Sequence, residues 1–172
     1  MPDQVRLALP IVLVGPMGSG KSRVGQRLAA SVDAPFVDTD QRIAERYGPI
    51  DEIFEREGEE YFRIIEREVV AEALLEEAVI SLGGGAVLHE DTRADLADLP
   101  VVWLKVSPEA VAPRLAGGKR PLIANGGIGA WKAILQERTP IYASLADLEI
   151  DTSRRSVARI VDDIIERFGV HR

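Results

Sequence analysis

The chain contains no cysteine. Disulfides and thiolate metal sites are therefore excluded. Aromatic residues make up only 5% of it, so the core has to be aliphatic. Its two histidines, His89 and His171, are isolated and cannot form a metal cluster. Neither is an obvious base, which leaves aspartate as the expected proton acceptor. No apolar run approaches a membrane span, and the N-terminus lacks the charged and apolar regions of a secretory leader. Positive charge is not in excess: the net charge is −7, so a general nucleic-acid surface is not expected. A local basic cluster could still hold a small anion. No repeat, low-complexity tract or linker divides the chain, and 172 residues suit one domain, 1–172. A cytoplasmic, ATP-containing compartment fits.

What is present is a phosphate-binding loop. Gly15-Pro16-Met17-Gly18-Ser19-Gly20-Lys21-Ser22 fits G-x-x-x-x-G-K-[ST] at every fixed position. Its glycines let backbone N–H groups turn inward around phosphate oxygens, where a Cβ would obstruct. Lys21 brings a compact positive charge to the β- and γ-phosphates, and the Ser22 hydroxyl can ligate Mg²⁺. A helix starting at about Lys21 adds the positive end of its dipole. The flanks agree. Residues 9–14 read as a buried strand and residues 22–32 as a helix, with Val24, Leu28 and Val32 on one face.

Strands and helices then alternate. Residues 36–38 form a short strand ending in acids, followed by a helix over 39–46 that Gly48-Pro49 breaks. A short helix over 50–57 is interrupted by Gly58. A long one continues to about residue 77, with Phe62, Ile65, Val69 and Ala73 on its apolar face. A strand over 78–82 leads into Gly83-Gly84-Gly85. Residues 91–96 are helical, 101–106 a strand, and Pro108 opens the next helix. Five glycines between 117 and 129, around Lys119-Arg120-Pro121, predict a mobile segment. A helix over 130–138, a strand over 148–150 and a final helix carrying Val157, Ile160, Val161, Ile164 and Phe168 complete the chain. This alternation implies an α/β fold with a parallel sheet covered on both faces.

Several residues admit two meanings. Asp38-Thr39-Asp40 follows a strand, at the sheet end where open α/β folds bind ligands. Its acids can serve Mg²⁺ and a substrate hydroxyl, and Asp38 or Thr39 can equally cap the next helix. Gly83-Gly84-Gly85 suits close approach of a ligand to backbone N–H groups, or an ordinary turn. Arg63 has Glu59 and Arg67 four residues away on either side; on spacing alone a solvated ion-pair face is the favoured meaning. Arg138, before Thr139-Pro140, can compensate a helix C-terminus. Arg120 is a candidate lid arginine.

Together these residues resemble the shikimate kinases, small relatives of the nucleoside monophosphate kinases. The resemblance covers nearly the whole chain. It rests on the phosphate loop at 15–22, Asp-Thr-Asp at 38–40, Glu-Tyr-Phe-Arg at 60–63, Ser-Leu-Gly-Gly-Gly at 81–85, Arg-Pro-Leu at 120–122 and Glu-Arg-Thr-Pro-Ile-Tyr at 137–142. It implies a five-stranded parallel sheet of order 2-3-1-4-5, a substrate-binding segment over about 39–72 and a lid over about 117–129. It implies phosphorylation of the shikimate 3-hydroxyl by ATP, with one Mg²⁺ per subunit, by a monomer. Ser22 would supply the metal ligand, Asp38 would hold the metal through its water shell, and Asp40 would contact the acceptor hydroxyl. Arg63 and Arg138 would bind the shikimate carboxylate beside Gly84 and Gly85, a role for Arg63 that only the resemblance supplies. Gly18, Ser19, Gly20, Lys21, Ser22 and Arg23 would hold the ATP phosphates, with Arg120 closing onto the transferred group and Arg114 near adenine. Lys21, Arg120 and Asp40 would be the catalytic groups. Arg23 stands where many relatives have Thr. Ser153-Arg154-Arg155-Ser156 lacks the proline some relatives place near adenine, and Arg155 is assigned to that side. The rival readings are a kinase for another polyol acid, such as gluconate, and a catalytically silent ATP-binding module. Intact Lys21, Ser22, Asp38, Asp40 and Arg120 argue against silence.

Overall fold

A computed structural model describes residues 5–115 and 126–170. Its centre is strand β2 (Ile11–Val14), preceded by a two-residue strand β1 (Arg6–Leu7). All four residues of β2 are buried, as a strand covered on both faces requires. Alternate side chains leave it in opposite directions. Val12 and Val14 join one core cluster with Val70, Ile80, Leu82, Val101 and Trp103. Ile11 and Leu13 join another with Val24, Leu28, Leu104, Ile160 and Ile164.

The remaining elements hang from this strand. They are α1 (Lys21–Ser31), β3 (Phe36–Asp38), α2 (Thr39–Tyr47), α3 (Ile50–Ala73), β4 (Val79–Ser81), a short 3₁₀ turn, α4 (Glu90–Leu96), β5 (Val101–Lys105), α5 (Pro108–Leu115), α6 (Gly127–Leu145), β6 (Leu148–Asp151), α7 (Val157–Phe168) and β7 (Gly169–Val170). The main sheet runs β3-β4-β2-β5-β6 with every pair parallel. Counted along its own five strands, this is the expected order 2-3-1-4-5. The order reverses beside β2, which opens a crevice at the carboxyl ends of its strands.

Three expectations need correction. The chain also forms a two-stranded antiparallel ribbon, β1 with β7, pairing Arg6 with Val170 and Leu7 with Gly169. The helix expected to stop at Arg138 runs through Pro140 to Leu145. Proline removes one helical hydrogen bond, to the carbonyl four residues back. Here Gln136 and Pro140 both lie on the exposed face of α6. The mobile segment expected over 117–129 lies largely outside the described residues, and its last three positions, 127–129, form the first turn of α6. Gly58 interrupts α3 as expected, with φ 86° and ψ 173°, a conformation that side-chain-bearing residues seldom adopt.

The segment over 39–72 has its own small core of Ile43, Ile53, Phe62, Ile65 and Val69. Forked ion pairs tie α2 to the end of α3 and the turn beyond it. Arg42 pairs with Glu76, and Arg46 meets Glu72 at 2.6 and 3.0 Å. No helix among the described residues is long and apolar enough to cross a membrane.

Candidate active site

The phosphate loop joins the end of β2 to the start of α1. Gly18 and Gly20 take positive φ values of 79° and 91°, which turn the backbone N–H groups inward. Three neighbours brace the loop from outside. Trp131 Nε1 donates to the Met17 carbonyl at 3.0 Å, and Arg114 Nη1 to the Gly18 carbonyl at 2.8 Å. The buried Thr152 hydroxyl lies 2.9 Å from the Ser19 carbonyl. Lys21 Nζ donates to the Gly15 and Pro16 carbonyls at 2.8 and 3.0 Å.

Ser22 Oγ donates to Asp38 Oδ2 at 2.6 Å, while Asp38 Oδ1 accepts from the Gln41 N–H at 3.2 Å. The capping meaning of Asp38 holds: one oxygen caps α2, and the other faces the loop. A hydroxyl and a carboxylate are hard oxygen donors, and two protein ligands completed by phosphate and water suit Mg²⁺. Among the described residues no three His, Asp or Glu side chains form a protein-only metal cage.

A cleft of about 420 Å³ runs over the loop, lined by residues 17–24, Asp38, Asp40, Gly84, Arg114, Thr152 and Arg155 among others. Arg23 is exposed at its edge. Arg155 also lines it and pairs with Asp163 of α7, at the rim rather than the phosphate end.

The second half of the site gathers around the triple glycine after β4. A methyl group on Gly83 would fall 2.4 Å from Asp40 Oδ1. On Gly84 it would fall 3.3 Å from Arg138 Nη1, and on Gly85 2.5 Å from Arg63 Nη1. One acid and two arginines thus meet three consecutive residues without side chains. The Thr39 hydroxyl pins α2 to this turn, 3.3 Å from both the Ser81 carbonyl and the Gly83 nitrogen.

Arg63 keeps the expected contact with Glu59 at 3.4 Å, but its shorter partner is Glu66 at 2.7 Å. Arg67 turns away to Thr92 and Asp95 of α4. Glu66 is buried, and burial pushes its carboxyl up to about 7. Arg63 and Arg138 pull the other way, and nearby Asp40 adds to the rise. Sequence reasoning missed Glu66. Its signal was a carboxylate inside the apolar stripe of Phe62, Ile65 and Val69. Arg138 is 4% exposed, midway along α6 and not at a helix end. Its Nε is buried without a partner, and no ion pair among the described residues involves it. Arg120 lies outside the described residues.

A phosphate loop facing an acid and two inward-pointing arginines, at the crevice of a parallel sheet, defines a P-loop kinase of a small acidic acceptor. A family model for shikimate kinase matches residues 17–168, and the chain belongs to the shikimate kinase family. It is 47% identical to a shikimate kinase of Thermobifida fusca, over 84% of this chain and 86% of that one. It is 44% identical to one from Mycobacterium avium, over 94% of both. The solved shikimate kinase of Acinetobacter baumannii, in complex with shikimate, superposes with a TM-score of 0.89 at 32% identity, covering 95% of this chain and 93% of that one.

Proposed function

We propose that this chain transfers the γ-phosphoryl group of ATP to the 3-hydroxyl of shikimate, giving shikimate 3-phosphate and ADP for aromatic amino acid biosynthesis. The observation that carries this reading is Arg138. A guanidinium buried beside the phosphate loop, with its Nε unpartnered and no ion pair among the described residues, is costly unless an anion arrives to meet it. Shikimate brings one carboxylate, which a guanidinium can grip through two parallel hydrogen bonds.

Lys21, with the N–H groups of Gly18, Ser19, Gly20, Ser22 and Arg23, holds the phosphates. Arg114 and Arg155 flank the nucleotide side of the cleft. Ser22, with Asp38 acting through the water shell, would hold Mg²⁺, which when bound would offset the negative charge of the phosphates. Arg63 and Arg138 grip the carboxylate, with Gly84 and Gly85 against the ring. Asp40, beside Gly83, receives the hydroxyl and takes its proton as the oxygen attacks phosphorus. The transition state of such transfers is loose, so fixing the hydroxyl in line matters at least as much as basicity. Arg120 enters on its sequence position alone. The chain acts as a monomer on two small molecules, ATP and shikimate.

The test is ADP release from Mg-ATP with a panel of hydroxylated acids. Shikimate should stimulate release strongly, and gluconate should not. Absence of stimulation by shikimate would overturn the reading; stimulation by gluconate alone would point to the rival polyol-acid kinase.

A further inference from the structure

Four residues beyond Arg138, and so on the same face of α6, stands Tyr142. It is 0% exposed. Its hydroxyl donates to the Gly84 carbonyl at 2.5 Å, and it and Arg138 Nη1 border the same spot, 3.7 and 3.3 Å from where a methyl group on Gly84 would sit. Its ring packs against Trp103, with centroids 5.7 Å apart, inside the core cluster that includes Val14 and Leu82. Burial pushes the hydroxyl up to about 12 despite the opposing pull of Arg138, so it keeps its proton at any working pH.

The ring alone is accounted for by packing, and phenylalanine would supply it. The hydroxyl is different. It ties α6, which carries the buried arginine one turn earlier, to the turn after β4, 58 residues away in sequence. A long guanidinium side chain has many rotamers, and burial alone does not choose among them. A donor-acceptor group anchored at one end to a backbone carbonyl does. The position it chooses lies over Gly84, where a methyl group would be only 3.5 Å from the Gly15 carbonyl of the phosphate loop.

We propose that Tyr142 is a positioning residue for acceptor recognition. Its hydroxyl fixes the Arg138 guanidinium against Gly84, and so sets how far the bound carboxylate stands from the phosphate loop. This rests on the reading of Arg138 as a carboxylate anchor. Without the hydroxyl, the arginine keeps its charge and loses its aim.

The experiment compares Tyr142→Phe, Arg138→Ala and the double variant in steady-state kinetics. Tyr142→Phe should raise the KM for shikimate by roughly 10-fold, the worth of one hydrogen bond to a charged group. The KM for ATP should stay near its wild-type value, and the melting temperature should fall by only about 2–4 °C, the worth of one buried hydrogen bond. For an analogue carrying hydroxymethyl in place of the carboxylate, wild type and variant should perform alike. In the Arg138→Ala background, adding Tyr142→Phe should have no further effect. If Arg138→Ala leaves shikimate KM unchanged, the anchor reading fails and this proposal falls with it. If Arg138→Ala weakens shikimate but Tyr142→Phe does not, the proposal alone fails. It fails too if Tyr142→Phe weakens ATP equally, or acts fully without Arg138. A second measurement needs no variant. With the three tyrosines replaced by fluorotyrosine, the resonance of the buried one should shift on adding shikimate and hold still on adding Mg-ATP. A resonance indifferent to shikimate overturns the proposal.

Discussion

Asp38 and Asp40 stand two positions apart, yet their carboxylates face different neighbours. Asp38 bonds Ser22, and Asp40 lies against Gly83. Asp40→Asn keeps size and hydrogen bonding but cannot accept a proton. Its turnover should fall roughly 10²–10⁴-fold, with nucleotide affinity almost unchanged. Asp38→Asn should instead demand more Mg²⁺. Turnover against Mg²⁺ concentration separates the two; rescue of Asp40→Asn by excess Mg²⁺ would mean that the roles are reversed. Glu66 makes a different prediction. Because its folded value is raised to about 7 from an ordinary 4.5, the native chain holds this proton more tightly than the unfolded chain does. Stability from the group is complete below the unfolded value and is lost as pH climbs through the folded one. Urea midpoints of the wild type should therefore fall, relative to Glu66→Gln, between about pH 5 and about pH 8. Parallel profiles would show that Glu66 titrates alike in both states. Residues with a motif to carry them were legible in the sequence. Glu66 was not, and Tyr142 stood only as the last residue of a motif with no role assigned, because what marks each is a buried partner distant in sequence or a turn of helix away.

Of the helices, α6 shows why boundaries are harder to read than elements. Thr139-Pro140 looks like a stop, and only the exposure of its outer face makes the proline tolerable. Ending the helix there leaves Tyr142 off it and hides its relation to Arg138. Strands β2, β4 and β5 were legible because each is an apolar run between turns, and β6 through its alternation of Leu148 and Ile150 with acids. The β1–β7 ribbon was not, since two residues cannot show a period. The turn after β4 offers a test at this scale. Gly85 has φ −97° and ψ 1°, which alanine can adopt, but the new methyl group would displace the Arg63 guanidinium. The tip of a long side chain moves cheaply. Gly85→Ala should therefore change unfolding free energy by less than about 1 kcal/mol. It should cost shikimate binding on the order of 1.5–3 kcal/mol, the worth of a charge-assisted pair. Calorimetric titration with shikimate measures the loss; binding at wild-type strength would remove Arg63 from the carboxylate site.

For the molecule as a whole, the two faces of the sheet do different work. The α1–α7 face is aliphatic packing, with Ile164 fully buried in it. Ile164→Ala should cost about 2–5 kcal/mol in urea unfolding and leave both KM values intact. An altered shikimate KM would show that this face communicates with the site. The opposite face carries α3 and α6, and with them both arginines. At Gly84 the phosphate loop and the proposed acceptor groups come close together: a methyl group there would meet both the Gly15 carbonyl and Arg138 Nη1. That closeness bears on drug resistance. An inhibitor joining a nucleotide mimic to a shikimate mimic would have to cross at Gly84. A bulkier residue there would block the linker, but would equally hold donor and acceptor apart. At this position, escape from such a compound and loss of catalysis are the same mutation.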